Sequence, residues 1–293
     1  MDSMTAPRSM MIRTQGKTPL RFGMGGSMSI AIETVEIDDV LMDYFRFGKK
    51  GGYPVFVIPG LSVKSVMGSA DLVAGAYGQM TDEFDIYVID RRKNIPEEYS
   101  IENMAEDTIK AIQKIGFDSV NIVSTSQGGM IALCIALKAP ELVNSMILMS
   151  TSSHHNEKSV AVIQNWIDLA KSGDKESLMV DFAKKCYTKD YVNTYLDVFK
   201  QMSALVTEDE LKRFVITAKD LLSFDISDRI QNIQCKALVV AAEDDMVFGK
   251  EPSLEIAEKL GCQYYVYQNY GHAFYDEAPD CIERVREYFK TVV

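Results

Sequence analysis

A Ser-Gln-Gly-Gly sequence lies where a predicted strand is followed by a predicted helix. Residues 120–123 form a short apolar run, and residues 130–137 have the apolar spacing of a helix. Between them, Ser126 has the small residue Ser124 two positions before it and Gly128 two positions after it. A tight turn that lifts a nucleophilic serine out of a sheet needs small residues at both positions, because strand and helix approach closely there. Ser126 is therefore the candidate nucleophile, although the first glycine of the usual motif is replaced by serine.

A serine hydroxyl becomes an effective nucleophile when a neighbouring base removes its proton, and the chain contains three histidines. His272 follows one predicted strand and precedes the last predicted helix, which puts it at the carboxyl end of the sheet, where sites collect. His154 and His155 follow another strand, and solvated loop positions are expected for both. His154 is also a candidate for the wall of a substrate pocket. We predict that His272 is the base.

The acid that orients the imidazole is expected in a third loop. The apolar run of residues 237–241 leads into three consecutive carboxylates, Glu243, Asp244 and Asp245. Asp245 lies three residues beyond the small Ala242 at the strand end, which favours it, with Asp244 as the alternative. The chain order Ser–Asp–His differs from the orders in chymotrypsin-like and subtilisin-like enzymes and is typical of α/β-hydrolases.

Strands and helices alternate around these three candidates, which predicts an α/β fold with a mostly parallel central sheet and flanking helices. An antiparallel hairpin is expected first, at residues 29–37 and 41–47. The further predicted strands are residues 54–58, 84–90, 120–123, 145–149, 237–241 and 263–267, and the predicted helices are residues 70–80, 100–115, 130–137, 253–260 and 282–289.

The alternation stops between residues 152 and 232, where four helical patterns occur without a convincing strand. An all-helical block inserted into an α/β sheet predicts a cap over the site. The predicted organisation is thus a core of residues 28–151 plus 233–293 and a helical cap of residues 152–232. Residues 1–27 lack the apolar segment of a signal peptide and are predicted to be a disordered leader or a cloning remnant.

Composition excludes several classes of function. The net charge of -11 opposes binding to nucleic acid, and no apolar run is long enough to cross a membrane. Five widely spaced cysteines without a C-x-x-C pair indicate free thiols in a reducing compartment, so a cytoplasmic location is expected. Neither a phosphate-binding glycine loop nor a cluster with metal-ligand spacing is present, and we expect no cofactor and no metal.

From about Ile30 to Val293, the sequence resembles the α/β-hydrolase superfamily, in particular its capped esterase and lactonase-like members. Besides the three candidates above, residues 58–61 (Ile-Pro-Gly-Leu) look like the family's oxyanion loop, and residues 90–92 with residues 99–100 look like its D-x-R-G and Y-S stretches. By that resemblance, the oxyanion donors would be the backbone N–H groups of Leu61 and Gln127. Pro59 and Thr125 stand where the family often has other residues, which leaves the substrate class open.

The predicted function is cleavage of carboxylic ester or lactone bonds in small, largely apolar substrates, through an acyl-enzyme on Ser126. Thr125, His154, Trp166 and Met246 are the candidate substrate contacts. The alternatives are a C–C bond hydrolase or an acyltransferase with the same triad, or a hydrolase-fold protein that only binds a ligand. The expected partner is a small ester-like molecule, with neither nucleic acid nor membrane, and a homo-oligomer is left open.

Overall fold

Eight strands form one sheet in the computed structural model, which describes residues 29–292. The predicted leader, residues 1–27, lies outside the described residues. The strands are β1 (Ile32–Ile37), β2 (Val40–Gly48), β3 (Tyr53–Ile58), β4 (Phe84–Arg92), β5 (Val120–Thr125), β6 (Val143–Met149), β7 (Lys236–Ala242) and β8 (Gln263–Tyr267). Their order across the sheet is β1-β2-β4-β3-β5-β6-β7-β8. The first two pairs are antiparallel and all later pairs are parallel, so the predicted fold class is confirmed.

Helices cover both faces of this sheet, which explains why the central strands are apolar on both sides. Six of them lie outside the region between β6 and β7: α1 (Ala70–Ala76), α2 (Ile101–Ile115), α3 (Gln127–Lys138), α8 (Glu251–Leu260), α9 (Phe274–Glu277) and α10 (Cys281–Val292). One apolar layer contains buried residues of α2, α3 and α8, and the opposite layer contains those of α1, α9 and α10. The strand β5 is buried along its whole length between these layers.

Between β6 and β7 the chain forms α4 (Glu157–Ser172), α5 (Lys175–Cys186), α6 (Lys189–Ser203) and α7 (Glu208–Lys219), which we call the helical insertion. Capping residues in the sequence explain where two of these helices begin. Thr207 and Glu210 form a capping box at the beginning of α7, and Asn156 with Ser159 forms another at the beginning of α4. None of the helices in the described part of the chain is long and apolar enough to cross a bilayer.

The parallel strands end at a common edge of the sheet, and the loops leaving that edge carry the candidate residues. The loop after β3 contains Leu61, and the turn after β5 contains Ser126. The loops after β7 and β8 contain Asp245 and His272. A parallel sheet therefore brings together side chains that lie far apart in the sequence.

Candidate active site

Ser126 lies at the tip of the turn between β5 and α3 in a strained backbone conformation. Its φ of 52° and ψ of -124° are unusual for a residue with a side chain. Two close approaches leave no room for larger neighbours. A Cβ on Gly128 would lie 2.1 Å from the Ile58 carbonyl oxygen, and a Cβ on Gly60 would lie 3.0 Å from Ser126 Cβ. The turn thus has the geometry of a nucleophile elbow.

Neighbouring elements hold this turn through hydrogen bonds. The Ser126 N–H donates to the Met149 carbonyl at 2.8 Å, and the Thr151 hydroxyl donates to the Ser126 carbonyl at 2.7 Å. Ser124, which occupies the usual first glycine position, is fully buried and donates from its hydroxyl to the Ile147 carbonyl at 3.0 Å. The serine therefore fits this position because a carbonyl of β6 satisfies its hydroxyl.

His272 and Asp245 form a buried pair, with each residue 3% exposed. His272 Nδ1 lies 2.8 Å from Asp245 Oδ2, so an Nδ1–H donates to the carboxylate. The other oxygen, Asp245 Oδ1, accepts from the backbone N–H groups of Val247 at 2.7 Å and Phe248 at 3.0 Å. Since both carboxylate oxygens have fixed partners, the imidazole is held with Nε2 as its free nitrogen.

Asp245 is also the only one of the three consecutive carboxylates that bonds to His272. Glu243 pairs with Lys250 instead, and both Glu243 and Asp244 are exposed. The spacing that favours Asp245 over Asp244 in the sequence therefore agrees with the geometry.

Ser126 and His272 line the same cavity, which the helical insertion covers in part. The described residues contain no hydrogen bond between Ser126 Oγ and His272 Nε2. Catalytic hydrogen bonds are often long or poorly aligned in unliganded enzymes and tighten when substrate binds. The structure thus places the Ser126 and His272 side chains on one cavity.

Two backbone N–H groups near Ser126 have no hydrogen-bond partner in the described part of the chain. Gln127 is the first residue of α3, and an N–H at that position has no partner within the helix. The Leu61 N–H, in the loop after β3, likewise donates to no other residue in the described part of the chain. The cavity wall includes Leu61, and Gln127 directly follows Ser126.

The cavity has a volume of about 320 Å³. Its apolar walls come from both the core and the insertion, and they include Trp166, Met179, Phe182, Phe199, Met202, Leu221, Val247 and Phe248. Trp166 and Phe182 pack together with their ring centroids 4.5 Å apart. Thr125 and Trp166, both predicted to contact substrate, are part of this wall.

Lys64 adds a cation to the cavity wall, and Cys186 adds a thiol. Lys64 is the one lysine or arginine among the described residues of the wall, and its Nζ pairs with Glu210 Oε1 at 2.9 Å. Burial raises the pKa of the Cys186 thiol well above its ordinary value. The thiol therefore stays protonated at neutral pH and does not compete with Ser126 as a nucleophile.

Two of the predicted substrate contacts, His154 and Met246, lie outside this cavity. His154 lines a separate surface depression, where its Nε2 lies 3.8 Å from Glu255 Oε2. Met246 is 46% exposed and does not line the cavity that contains Ser126. Both residues follow a strand at the correct edge of the sheet, but their loops turn these side chains away from the cavity.

Sequence reasoning missed several wall residues. Phe248 belongs to the loop of Asp245 and Tyr275 lies in α9, three positions after His272, so proximity in sequence to a candidate could have identified both. Lys64, three positions after Leu61, could have been identified in the same way, whereas Cys186 gave no such signal because its approach depends on how the insertion packs. Within residues 29–292, no group of three or more histidine, cysteine, aspartate or glutamate side chains could hold a metal ion.

A family model described as alpha/beta hydrolase fold matches residues 81–279 of the chain. Among curated relatives, RutD of Pseudomonas savastanoi pv. phaseolicola, assigned provisionally as a carbamate hydrolase, is 26% identical over 216 residues. That match covers 70% of this chain and 82% of the relative.

Solved structures with the same fold include esterases and lactonases. The esterase EaEST from Exiguobacterium antarcticum superposes with a TM-score of 0.74 at 20% identity, covering 90% of this chain and 100% of the esterase. The enol-lactonase from Burkholderia xenovorans LB400 superposes with a TM-score of 0.72 at 16% identity, covering 89% of this chain and 98% of the lactonase.

Proposed function

The chain belongs to the α/β-hydrolase fold family, and on that premise we propose that it is a serine hydrolase that cleaves carboxylic esters of small, largely apolar substrates. One observation carries the proposal. The strained Ser126 opens onto the same cavity as His272, whose other ring nitrogen is paired with the buried Asp245. Nucleophile, base and orienting acid in this relation are the requirements for acyl transfer through a covalent intermediate.

In the first half-reaction, His272 Nε2 takes the proton of the Ser126 hydroxyl as Oγ attacks the ester carbonyl carbon. The carbonyl oxygen becomes an oxyanion, which accepts hydrogen bonds from the Leu61 and Gln127 N–H groups. The C–O bond to the alcohol then breaks, and His272 returns its proton to the departing alkoxide. The products of this step are a free alcohol and an acyl group on Ser126.

In the second half-reaction, a water molecule gives its proton to His272 and attacks the acyl carbonyl through the same oxyanion geometry. The bond to Oγ breaks, the proton returns to Ser126, and a carboxylic acid leaves. Asp245 stabilises the imidazolium in both halves and keeps Nε2 directed at the reacting atoms.

We propose that the helical insertion serves as the cap over this site and selects the substrate. Its contributions to the wall are apolar, and the single wall lysine is already paired with Glu210. A cavity of about 320 Å³ is at the lower end of the roughly 300–1,000 Å³ range of ligand pockets. These properties support a small neutral ester over an anionic substrate, since an anion would lack an unpaired cation in the wall.

The central experiment combines turnover with labelling of the nucleophile. Wild-type protein is expected to hydrolyse p-nitrophenyl esters of short and medium acyl chains and to react with a fluorophosphonate probe at Ser126, identified by peptide mass. Ser126→Ala is expected to lower kcat by several powers of ten and to remove the label, with an unchanged melting temperature. Retained turnover in Ser126→Ala would exclude Ser126 as the nucleophile.

A carbamate is the second candidate substrate, and the similarity to RutD favours it. The same triad can attack a carbamate carbonyl, but a free carbamate ion is negatively charged and fits the apolar wall less well. A panel of esters, lactones and carbamates, assayed with equal enzyme, distinguishes these classes. A higher kcat/KM for free carbamate than for every ester would overturn the ester proposal.

The remaining alternatives differ in the fate of the acyl group. Turnover of a β-diketone without ester turnover would indicate a C–C bond hydrolase. Transfer of the acyl group to added alcohol or thiol in preference to water would indicate an acyltransferase. A protein that only binds ligand would fail to react with the fluorophosphonate probe.

A further inference from the structure

The Gln127 side chain bridges the core and the helical insertion. Its Oε1 accepts from Arg91 Nη2 at 2.8 Å, and its Nε2 donates to the Thr217 carbonyl oxygen at 2.6 Å. Gln127 is fully buried, and Thr217 belongs to α7 of the insertion. Both polar atoms of the amide therefore have partners, one at the end of β4 and one on α7.

Arg91 is an unusual partner, because a guanidinium that is 7% exposed loses most of its hydration. Burial lowers the pKa of Arg91, and the neighbouring Asp90 carboxylate opposes that effect. Asp90 also accepts from the Ser65 hydroxyl at 2.6 Å, and Ser65 lies in the loop that carries Leu61. Asp90 and Arg91 are thus connected to both elements that carry the oxyanion N–H groups.

A second group of contacts fixes α7 to the same strand end. Arg213 Nη1 donates to the Arg92 carbonyl at 2.7 Å, and Arg213 Nη2 lies 3.2 Å from the Arg91 carbonyl and 3.5 Å from Asp90 Oδ1. The insertion helix α7 therefore rests on β4 through Arg213 and reaches the first turn of α3 through the Gln127 amide.

These anchors lie next to the peptide that carries the Gln127 N–H. No intrahelical hydrogen bond restrains an N–H at the first residue of a helix. The peptide between Ser126 and Gln127 is held at its carbonyl oxygen by the Thr151 hydroxyl at 2.7 Å and the Gly129 N–H at 2.9 Å, and the anchored Gln127 side chain restrains its other end. Oxyanion donors act only when they point at the developing charge, so a small rotation of this peptide slows the reaction.

We propose that the Gln127 side chain is a positioning group. By bridging the Arg91 guanidinium and the Thr217 carbonyl, the side chain aligns the Gln127 backbone N–H with the oxyanion. The alignment then depends on how α7 packs against the core. This inference rests on the proposed function. It adds that the insertion contributes to the rate of the chemical step as well as to substrate choice.

The first test is Gln127→Met, which keeps the volume and removes both hydrogen bonds. We expect kcat for a p-nitrophenyl ester to fall by about 10–100-fold with KM within about threefold of wild type. The inhibition constant of an alkyl trifluoromethyl ketone, whose serine adduct carries an oxyanion, should rise by a similar factor. A purely structural role would lower only the melting temperature.

Asn121→Leu is the matched control. Asn121 is a buried amide at the opposite end of β5, where its side chain bonds to Pro54, Asn144 and Ser145. The Asn121→Leu variant should lose stability as Gln127→Met does, but its kcat should stay unchanged. An equal loss of kcat in both variants, or a kcat for Gln127→Met within about threefold of wild type, would overturn the inference.

Arg213→Met tests the dependence on α7 without altering the oxyanion hole, and it replaces Gln127→Met if that variant does not fold. In the wild-type background, we expect Arg213→Met to lower kcat by about 3–10-fold. In the Gln127→Met background, the same substitution should lower kcat by less than about twofold, because the Gln127 amide that connects α7 to the oxyanion N–H is already absent. Equal effects in both backgrounds, or no effect of Arg213→Met alone, would overturn the coupling. Wild-type protein without turnover or labelling would instead refute the proposed function itself.

Discussion

The elbow between β5 and α3 and the helical insertion above it are held by different kinds of interaction. The elbow is fixed by close packing, since β5 is fully buried and Gly128 leaves no space for a side chain beside Ile58. The insertion is less embedded. In α6, for example, the buried residues are Val192 and Ser203, whereas Tyr195 and Val198 are more than 40% exposed.

The insertion instead reaches each loop of the proposed active site through individual polar contacts. Lys64 in the loop of Leu61 donates to the Leu205 carbonyl at 3.1 Å, and Lys158 of α4 donates to the Asp245 carbonyl at 2.6 Å. The Ala273 N–H beside His272 donates to the Cys186 carbonyl at 2.7 Å. With the Gln127 amide, four loops thus have four separate contacts to the insertion.

This difference suggests a division of roles. Close packing tolerates little change, which suits groups that must be aligned within fractions of an ångström for the reaction. Single polar contacts can be lost or exchanged at a small cost each, which suits a surface that determines substrate choice. Substitutions in the elbow and its partners should therefore stop the reaction, whereas substitutions in the contacts of the insertion should adjust it.

The largest effect in the packed region is expected for Asp245→Asn. An asparagine amide would donate to Nδ1 and favour the tautomer with the proton on Nε2, which cannot act as a base. We expect kcat to fall by about 10³–10⁴-fold while the fold is retained. The neighbouring Asp244→Asn is the control and should remain near wild type, because Asp244 is exposed. A loss confined to Asp244→Asn would transfer the role of the acid to that residue.

Gly128→Ala is expected to have the next largest effect. The new Cβ would lie 2.1 Å from the Ile58 carbonyl and 2.6 Å from the Pro59 carbonyl, so β3 and α3 must separate. We expect a loss of about 3 kcal/mol in the free energy of unfolding, measured by urea denaturation, together with a lower kcat.

Gly75→Ala in α1 is its matched control, because a Cβ at that position would meet no packed neighbour within 4 Å. It should leave activity unchanged and raise the free energy of unfolding by up to about 1 kcal/mol, since alanine favours a helix over glycine. If the two alanine variants were equally stable, close packing would not explain why the elbow requires glycine.

The packed region was largely predictable from sequence because its signals are local. The small residues around Ser126 lie at the end of a recognisable strand. Asp245 and His272 each follow another such strand, in the chain order that α/β-hydrolases have. The contacts of the insertion carried no such signal. Lys158 and Asp245 are separated by 87 positions, Gln127 and Thr217 by 90, and Lys64 and Leu205 by 141. Such contacts depend on how the helices of the insertion pack on the core, and no single stretch of sequence determines that packing.

The same limit explains why two predicted substrate contacts, His154 and Met246, lie outside the cavity. A strand end predicts the edge of the sheet at which a residue lies, but the direction of a side chain depends on the path of its loop. His154 forms an isolated bridge with Asp225, and this pairing fixes its loop at the side of the insertion. Trp166 was predictable because its helical spacing turned it inward with Ile163, and both residues line the cavity.

The smallest effect is expected for Lys64→Met, which removes the two contacts of Lys64 with the insertion, to the Leu205 carbonyl and to Glu210. Lys64 is partly exposed, so the loss in free energy of unfolding should be at most about 1 kcal/mol. Because Lys64 also lines the cavity, we expect KM for a p-nitrophenyl ester to change by about two- to fivefold with a nearly constant kcat. Lys212→Met, which removes a more exposed lysine of α7, is the control and should alter neither quantity.

Lowering the pH should reveal how much the Lys64–Glu210 pair contributes to the stability of the wild-type protein. Burial opposes ionisation of Glu210, but its contacts with Lys64 and Thr207 outweigh burial and lower its pKa below the ordinary 4.5. A lowered pKa means that the stabilisation is present above the ordinary value and is lost as the pH falls through the lowered one. The urea midpoint of wild type should therefore approach that of Lys64→Met as the pH drops below 4.5. A constant gap between the two proteins at every pH would mean that the Lys64–Glu210 pair contributes nothing, and Lys64 would then hold the insertion through its hydrogen bond to the Leu205 carbonyl and through packing.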